Sequence, residues 1–244
     1  MAERLAASTE DCFRVLREGI LTGQYRPGTR LPPERRLAEQ LGVHRVTLRA
    51  AIGQLAALGL VEVRQGSGTV VTDYRERGGL MLLAELAANA GPDQLLVICR
   101  DLLELRRRVA IMLFEKIADQ GGLKDRSDFD HAVGDFRRAI GDDAGTDDLA
   151  LADLAVVAAL CRGGGSPVLQ LALNPIGQVV VRVASLRAAL YATPKTNLTG
   201  YEVLSHWLHD PVRTALVPME ALLASHDEQT LDRLERVLHR SRSF

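Results

Sequence analysis

The sequence predicts a mainly α protein in two parts: three short helices closed by a small β-hairpin, then an all-α helical bundle. Three observations carry this. Apolar residues recur at helical spacing through residues 9–58 and again beyond residue 78, whereas a period of two occurs only between residues 60 and 72. Glycine and proline clusters punctuate the chain where helix-to-helix turns would fall. The chain has 244 residues, 47% apolar and 25% charged, which is the size and balance of a globular protein able to bury two cores.

The first helix covers residues 9–22. Thr9 can cap it, Glu10 and Asp11 suit its positive end, and Phe13, Leu16, Ile20 and Leu21 form its apolar stripe. Gly23 stops it, and Tyr25-Arg26-Pro27-Gly28 is turn chemistry. Leu31-Pro32-Pro33-Glu34 opens a second short helix with proline in its first turn, ending near Gln40. Leu41-Gly42-Val43 makes a tight turn into a third helix, His44 to Leu58, with Val46, Leu48, Ile52, Leu55 and Leu58 expected inward. Gly59 caps that helix, Leu60 to Arg64 alternates as a half-buried strand, Gln65-Gly66-Ser67-Gly68 turns, and Thr69 to Thr72 returns as a second strand. Two helices joined by three residues and followed by a hairpin form a winged helix-turn-helix, so residues 1–74 are read as one domain.

Beyond Asp73, helices are expected over residues 78–90, 93–120, 127–141, 147–162, 168–191, 197–225 and 228–241. Pro211 and Pro218 should kink or split the sixth of these. The segment 75–91 reads as a linker helix and 92–244 as a helical domain.

Several function classes are excluded. No run of about 18 residues lacks a polar break, and Met1-Ala2-Glu3-Arg4 leads into no apolar stretch, so no membrane association is expected and a cytoplasmic protein is. Cys12, Cys99 and Cys161 are odd in number and far apart, which reads as reduced, buried thiols. The chain has no Gly-rich phosphate loop, Gly-x-Ser-x-Gly turn or His-Glu-x-x-His, so it is not expected to be an enzyme.

The net charge of −1 hides an asymmetry, for residues 1–75 carry 11 arginines, no lysine and 8 acids. A helix-turn-helix places the start of its second helix in the major groove of duplex DNA. Here Arg45 and Arg49, four apart, share one face of that helix, and a guanidinium fork can bond guanine O6 and N7 or clamp a phosphate. Thr47 can add a contact, and Arg35 on the preceding helix would lie where the motif crosses the backbone.

The stretch Gly23 to Arg35, with Leu37-Ala38, Leu41-Gly42-Val43, Arg45, Thr47, Arg49, Leu58-Gly59-Leu60-Val61 and Gly66-Ser67-Gly68-Thr69, resembles the GntR family of winged-helix regulators. The resemblance implies DNA contacts by Arg35, Arg45, Thr47 and Arg49, and a wing tip, Gln65, Gly66 and Ser67, entering the minor groove. His44 stands where the family usually caps the recognition helix with Ser or Thr, so it caps poorly, meets a phosphate, or is simply a tolerated exposed residue.

The helical remainder resembles the FadR branch of that family through Gly78-Gly79-Leu80, Leu103-Glu104-Leu105-Arg106, Asp153 ahead of Ser166-Pro167, and a terminal helix from His226-Asp227 to His239. Many members of the branch hold a metal ion on one Asp and three His. Here Asp153 and His239 are in register but Val157 and Ala215 occupy the other two positions, so neither a metal nor another cofactor is expected. Metal-free members respond to fatty acyl-CoA, which the resemblance implies as the effector, with Arg106, Asp153, His239 and Ser241 lining its pocket; bulky Val237 and Leu238 depart from that pattern. The expected function is a homodimeric regulator, a repressor by default, that binds a pseudo-palindromic double-stranded operator and loses affinity when a small-molecule effector binds. The alternative is a constitutive repressor whose helical domain only dimerises.

Overall fold

The computed structural model describes residues 8–64, 66 and 68–240. The chain divides into two compact units, Met1–Asn89 and Ala90–Phe244. Residues 75–89 of the segment read as a linker thus fall in the first unit.

In the first unit, α1 (Thr9–Leu21) is capped not by Thr9 but by Ser8, whose side-chain oxygen accepts from the Asp11 N–H. Next, α2 (Glu34–Leu41) ends at Gly42, whose φ of +67° turns the chain at once into α3 (Arg45–Ala57). Leu48, Ala51, Ile52 and Leu55 form the inward face of α3. Val46, expected inward, is 80% exposed, because two residues at about 100° each carry it to the side opposite Leu48. The wing is β1 (Val61–Arg64) and β2 (Gly68–Val71), antiparallel with Val61 opposite Val71. The chain ahead of α2 backs β2: Leu31 N–H donates to the Thr69 carbonyl and Val71 N–H to that of Thr29, both at 2.9 Å. Cys12, Leu16, Leu37, Leu48, Leu55, Leu60 and Val71 are the centre of this core.

After the wing come α4 (Tyr74–Arg77), a 3-10 turn (Leu80–Leu82) and α5 (Leu83–Asn89), so the helix expected over 78–90 is shorter and enters through a tighter turn. Leu82 joins the core of the first unit, and Glu85 forms a buried ion pair with Arg17 of α1. The Arg17 guanidinium also lies over the Phe13 ring, 5.3 Å from its centroid.

In the second unit, α6 (Pro92–Asp119) packs along α12 (Leu216–Arg240), and α7 (Ser127–Gly141) along α8 (Thr146–Gly163). The helix expected over 168–191 is two, α9 (Pro167–Arg182) and α10 (Ala184–Leu190), bent by 100° about Val183, whose backbone is extended. The apolar pattern continues through that bend, so periodicity alone does not reveal it. α11 (Pro194–Trp207) ends before Pro211, as a proline split requires, but Pro218 sits in the first turn of α12, where its missing N–H costs nothing. α12 then runs unbroken through His226-Asp227, where a new helix start was expected. Asp227 is 2% exposed and ion-paired, so it is a core group rather than a cap.

Phe129, Phe136, Leu113, Ile117 and Leu234 are fully buried in this unit, with Phe136 edge-on to Tyr201 at 5.8 Å. Among the described residues no single helix is long and apolar enough to cross a membrane. The three cysteines are free and buried, and burial pushes the Cys99 thiol up to about 12, which keeps it unreactive.

Candidate nucleic-acid interface

The exposed start of α3 is positioned by the Gly42 turn, which ends α2 and leaves His44 as the N-cap of α3 in extended conformation. The His44 side chain makes no capping bond. From this helix end Arg45 and Arg49 project together, with side chains 59% and 64% exposed. Both address one carboxylate: Glu34 Oε2 accepts from Arg49 Nε at 2.8 Å and lies 3.7 Å from Arg45 Nη2. Thr47 is half-buried between them in sequence. Arg35 is exposed on α2 and bonds Glu39 at 3.1 Å, one turn on.

The wing tip turns at Gly66 with φ +74°, a conformation glycine adopts freely. Gln65 and Ser67 lie outside the described residues. Arg64 and Arg77 add further charge beside the wing, both bonded to Glu62 at 3.0 and 2.9 Å. The Arg64 bond, then the charges of Arg64 and Arg77, keep the Glu62 carboxyl below its usual range.

The residues expected to line an effector pocket separate into two places in the second unit. Arg106 on α6 donates to Asp227 at 2.6 Å, and Arg107 donates to the other oxygen of that carboxylate, also at 2.6 Å. Asp153 on α8 accepts from Tyr201 at 2.6 Å and from Tyr191 at 3.1 Å. Burial pushes the Asp153 carboxyl above its usual range, opposed by the Tyr201 bond and the nearby charge of Arg106. Burial and the Asp153 charge drive both tyrosines well above the ordinary phenol value, so they act as donors. Burial, then the charges of Arg106 and Arg233, lower the His226 imidazole to about 4. Arg106 and Asp153 thus belong to one polar cluster.

His239 does not. It is exposed at the end of α12, 3.7 Å from Glu235, and helps line a shallow cavity of about 180 Å³ with Pro92, Leu96, Val97 and Arg100. Ser241 lies outside the described residues. Among the described residues no three His, Cys, Asp or Glu side chains gather as a metal-binding set. Val157 is half-buried on α8, Ala215 precedes α12, and neither can donate to a metal. His206 and His209, three apart, do not share a helix, since α11 ends at Trp207.

Sequence reasoning missed Glu34, Arg107, Tyr191, Tyr201, His226 and Asp227. Their only sequence signal was a polar group set within an apolar helical stripe or, for Glu34, a carboxylate one residue before Arg35.

Comparison with known proteins places this geometry. Residues 9–71 match the bacterial regulatory proteins of the gntR family. The HTH-type transcriptional regulator Mce2R of Mycobacterium tuberculosis is 40% identical over 131 residues, 54% of this chain and 52% of that protein; the chain thus spans about half the length of this relative. A fatty acid metabolism regulator protein of Klebsiella pneumoniae is 30% identical over 166 residues, 68% of this chain and 66% of that protein. The solved structure of Lar, which controls expression of the Listeria monocytogenes agr system and mediates virulence, shares the fold with a TM-score of 0.62 at 19% identity, covering 93% of this chain and 96% of that one. These relatives are regulators rather than enzymes. The chain belongs to the GntR family of transcription regulators, with a winged helix-turn-helix followed in sequence by a FadR-like helical unit.

Proposed function

We propose that this protein is a sequence-specific, duplex-DNA-binding transcription repressor that acts as a homodimer on a pseudo-palindromic operator. The observation that carries the reading is the exposed start of α3, where two guanidiniums stand side by side on the outer face of a helix fixed by the Gly42 turn. That is the element a helix-turn-helix presents to the major groove, and arginine forks are the commonest specific readers of guanine there. Two copies would present two such ends to half-sites one helical turn apart.

The effector belongs to the same proposal. A small molecule, of fatty acyl-CoA type by analogy with the fatty acid metabolism regulator relatives, would bind in the helical unit and lower operator affinity. It can do so only by binding the DNA-incompetent arrangement more tightly than the competent one. The Arg106–Asp153 cluster is the polar anchor available for it. One observation favours a second reading, a constitutive repressor: the groups of that cluster already bond one another, Arg106 and Arg107 to Asp227 and both tyrosines to Asp153.

The test is selection of binding sequences from a randomised duplex pool by the full chain, followed by retention assays. Arg45→Ala with Arg49→Ala should abolish retention of the selected duplex and leave melting unchanged. A pool that yields no enriched sequence contradicts DNA reading. Long-chain acyl-CoA at micromolar concentration that neither releases the duplex nor raises the melting temperature removes that effector and favours the constitutive reading.

A further inference from the structure

We propose that Glu34 is a specificity-determining residue: it holds Arg49 and Arg45 from behind in the posture that reads base edges. The inference rests on the DNA-reading role proposed above.

Glu34 is the first residue of α2 and its side chain is only one-third exposed, whereas the two arginines it serves are nearly twice as open. Its Oε2 accepts from Arg49 Nε at 2.8 Å. That bond uses the nitrogen nearest the stem and leaves the terminal pair, Nη1 and Nη2, which is the fork that fits guanine O6 and N7. The same oxygen lies 3.7 Å from Arg45 Nη2, so one carboxylate constrains two reading side chains four residues apart. Exposed ion pairs of this kind add little to folding stability. What this one supplies is orientation, since an arginine stem fixed before DNA arrives does not lose that freedom on binding. The contact of Arg35 with Glu39 is different, because it lies within a single helix and at 3.1 Å bonds a terminal nitrogen, Nη1, whereas the 3.7 Å approach of Glu34 to Arg45 Nη2 is too long for a hydrogen bond and leaves that fork free.

Glu34 also works against wrong binding. An arginine that swings away to clamp a phosphate would leave the Glu34 carboxylate without its cation and close to a line of like charge. Binding through phosphates alone is thereby disfavoured relative to binding through bases. A neutral side chain removes this penalty but keeps the hold on Arg49, whereas a truncated one removes both, so Glu34→Ala should bind duplexes more indiscriminately than Glu34→Gln.

The experiment uses the full chain, a duplex selected by the unmodified protein from a randomised pool, and a scrambled duplex of equal composition. Glu34→Ala should lower the affinity ratio between the two about tenfold or more, with scrambled-duplex affinity held or raised. Glu34→Gln keeps an oxygen for Arg49 Nε and should recover the ratio to within about threefold. Its binding should fall more steeply with salt, by about one further released counterion on the selected duplex. An unchanged ratio in Glu34→Ala overturns the proposal, as does a proportional loss on both duplexes. If Glu34→Ala does not fold, the salt slope of Glu34→Gln decides alone, and an unchanged slope overturns it. If the unmodified protein enriches no sequence, the DNA-reading role itself fails, a result distinct from any difference among the variants.

Discussion

Replacing Arg17 by Met tests how the first unit is held together. Arg17 on α1 and Glu85 on α5 form an ion pair with side chains 9% and 8% exposed. Both charges have left water, and their mutual attraction is part of what offsets that loss. Met fills a similar volume and keeps apolar contact with Phe13, but takes the Arg17 cation away from the buried Glu85 carboxylate. Removing one partner of a buried pair costs about 3–5 kcal/mol. In a domain of under about 100 residues each kcal/mol moves the melting temperature by about 4–8 °C, so a fall of at least about 12 °C is expected. Differential scanning calorimetry of the full chain reads this. Trp207, the one tryptophan, lies in the second unit, so a transition without a change in tryptophan fluorescence belongs to the first. The double variant Arg17→Met with Glu85→Met removes both charges and should regain most of the loss. A single variant that melts within about 4 °C of the parent, or a double variant no better than the single, would show that the Arg17–Glu85 pair does not hold the unit together.

Three further outcomes follow from the geometry. His226 is lowered from 6.5 to about 4, so the unfolded chain takes up a proton that the folded one refuses; its contribution is whole above pH 6.5 and drains as pH falls toward 4, by at most about 1.4 kcal/mol per unit. Urea melts across that range should show a shallower loss for His226→Gln than for the parent, and parallel curves would contradict it. His44→Ser should raise the melting temperature of the first unit by about 4–8 °C, because a serine oxygen can accept from the Thr47 N–H where histidine makes no cap bond; no gain would show that capping is not what position 44 lacks. Gly59 has φ +72°, and a Cβ there would run into the Arg77 carbonyl oxygen, so Gly59→Ala should cost more than the about 1–2 kcal/mol of the left-handed conformation alone, read by urea titration. A cost below about 1 kcal/mol would contradict that contact.

The first unit was legible because its signals are local. Gly42, Gly59 and Gly66 each mark a turn that needs positive φ, and the stripes of α1 and α3 were read correctly except at Val46, which an apolar residue type placed inward and helix geometry places out. The arginines of the candidate interface were legible by their spacing; the carboxylate that holds them was not, because Glu34 meets Arg49 across fifteen residues and a turn. The second unit was harder for the same reason. Asp153 finds its tyrosines 38 and 48 residues away, and Asp227 its arginines 121 and 120 residues away. Asp153 was expected in a pocket with Arg106, and Asp227 at a helix start, and neither expectation named these partners. The bend at Val183 was invisible since both flanks are apolar, and His239 was expected near Asp153 from a resemblance that the placement of α12 does not follow.

The Arg45 and Arg49 forks are proposed to enter a duplex groove and read guanine. The most direct measurement is fluorescence anisotropy on the selected duplex with 7-deazaguanine replacing guanine at the enriched positions, which deletes the N7 acceptor and nothing else. At least about a tenfold loss of affinity is expected for the unmodified protein, as for one bidentate contact, and the same residual, non-specific affinity for both duplexes in Arg45→Ala with Arg49→Ala. Equal affinity for the two duplexes by the unmodified protein would contradict the reading of guanine.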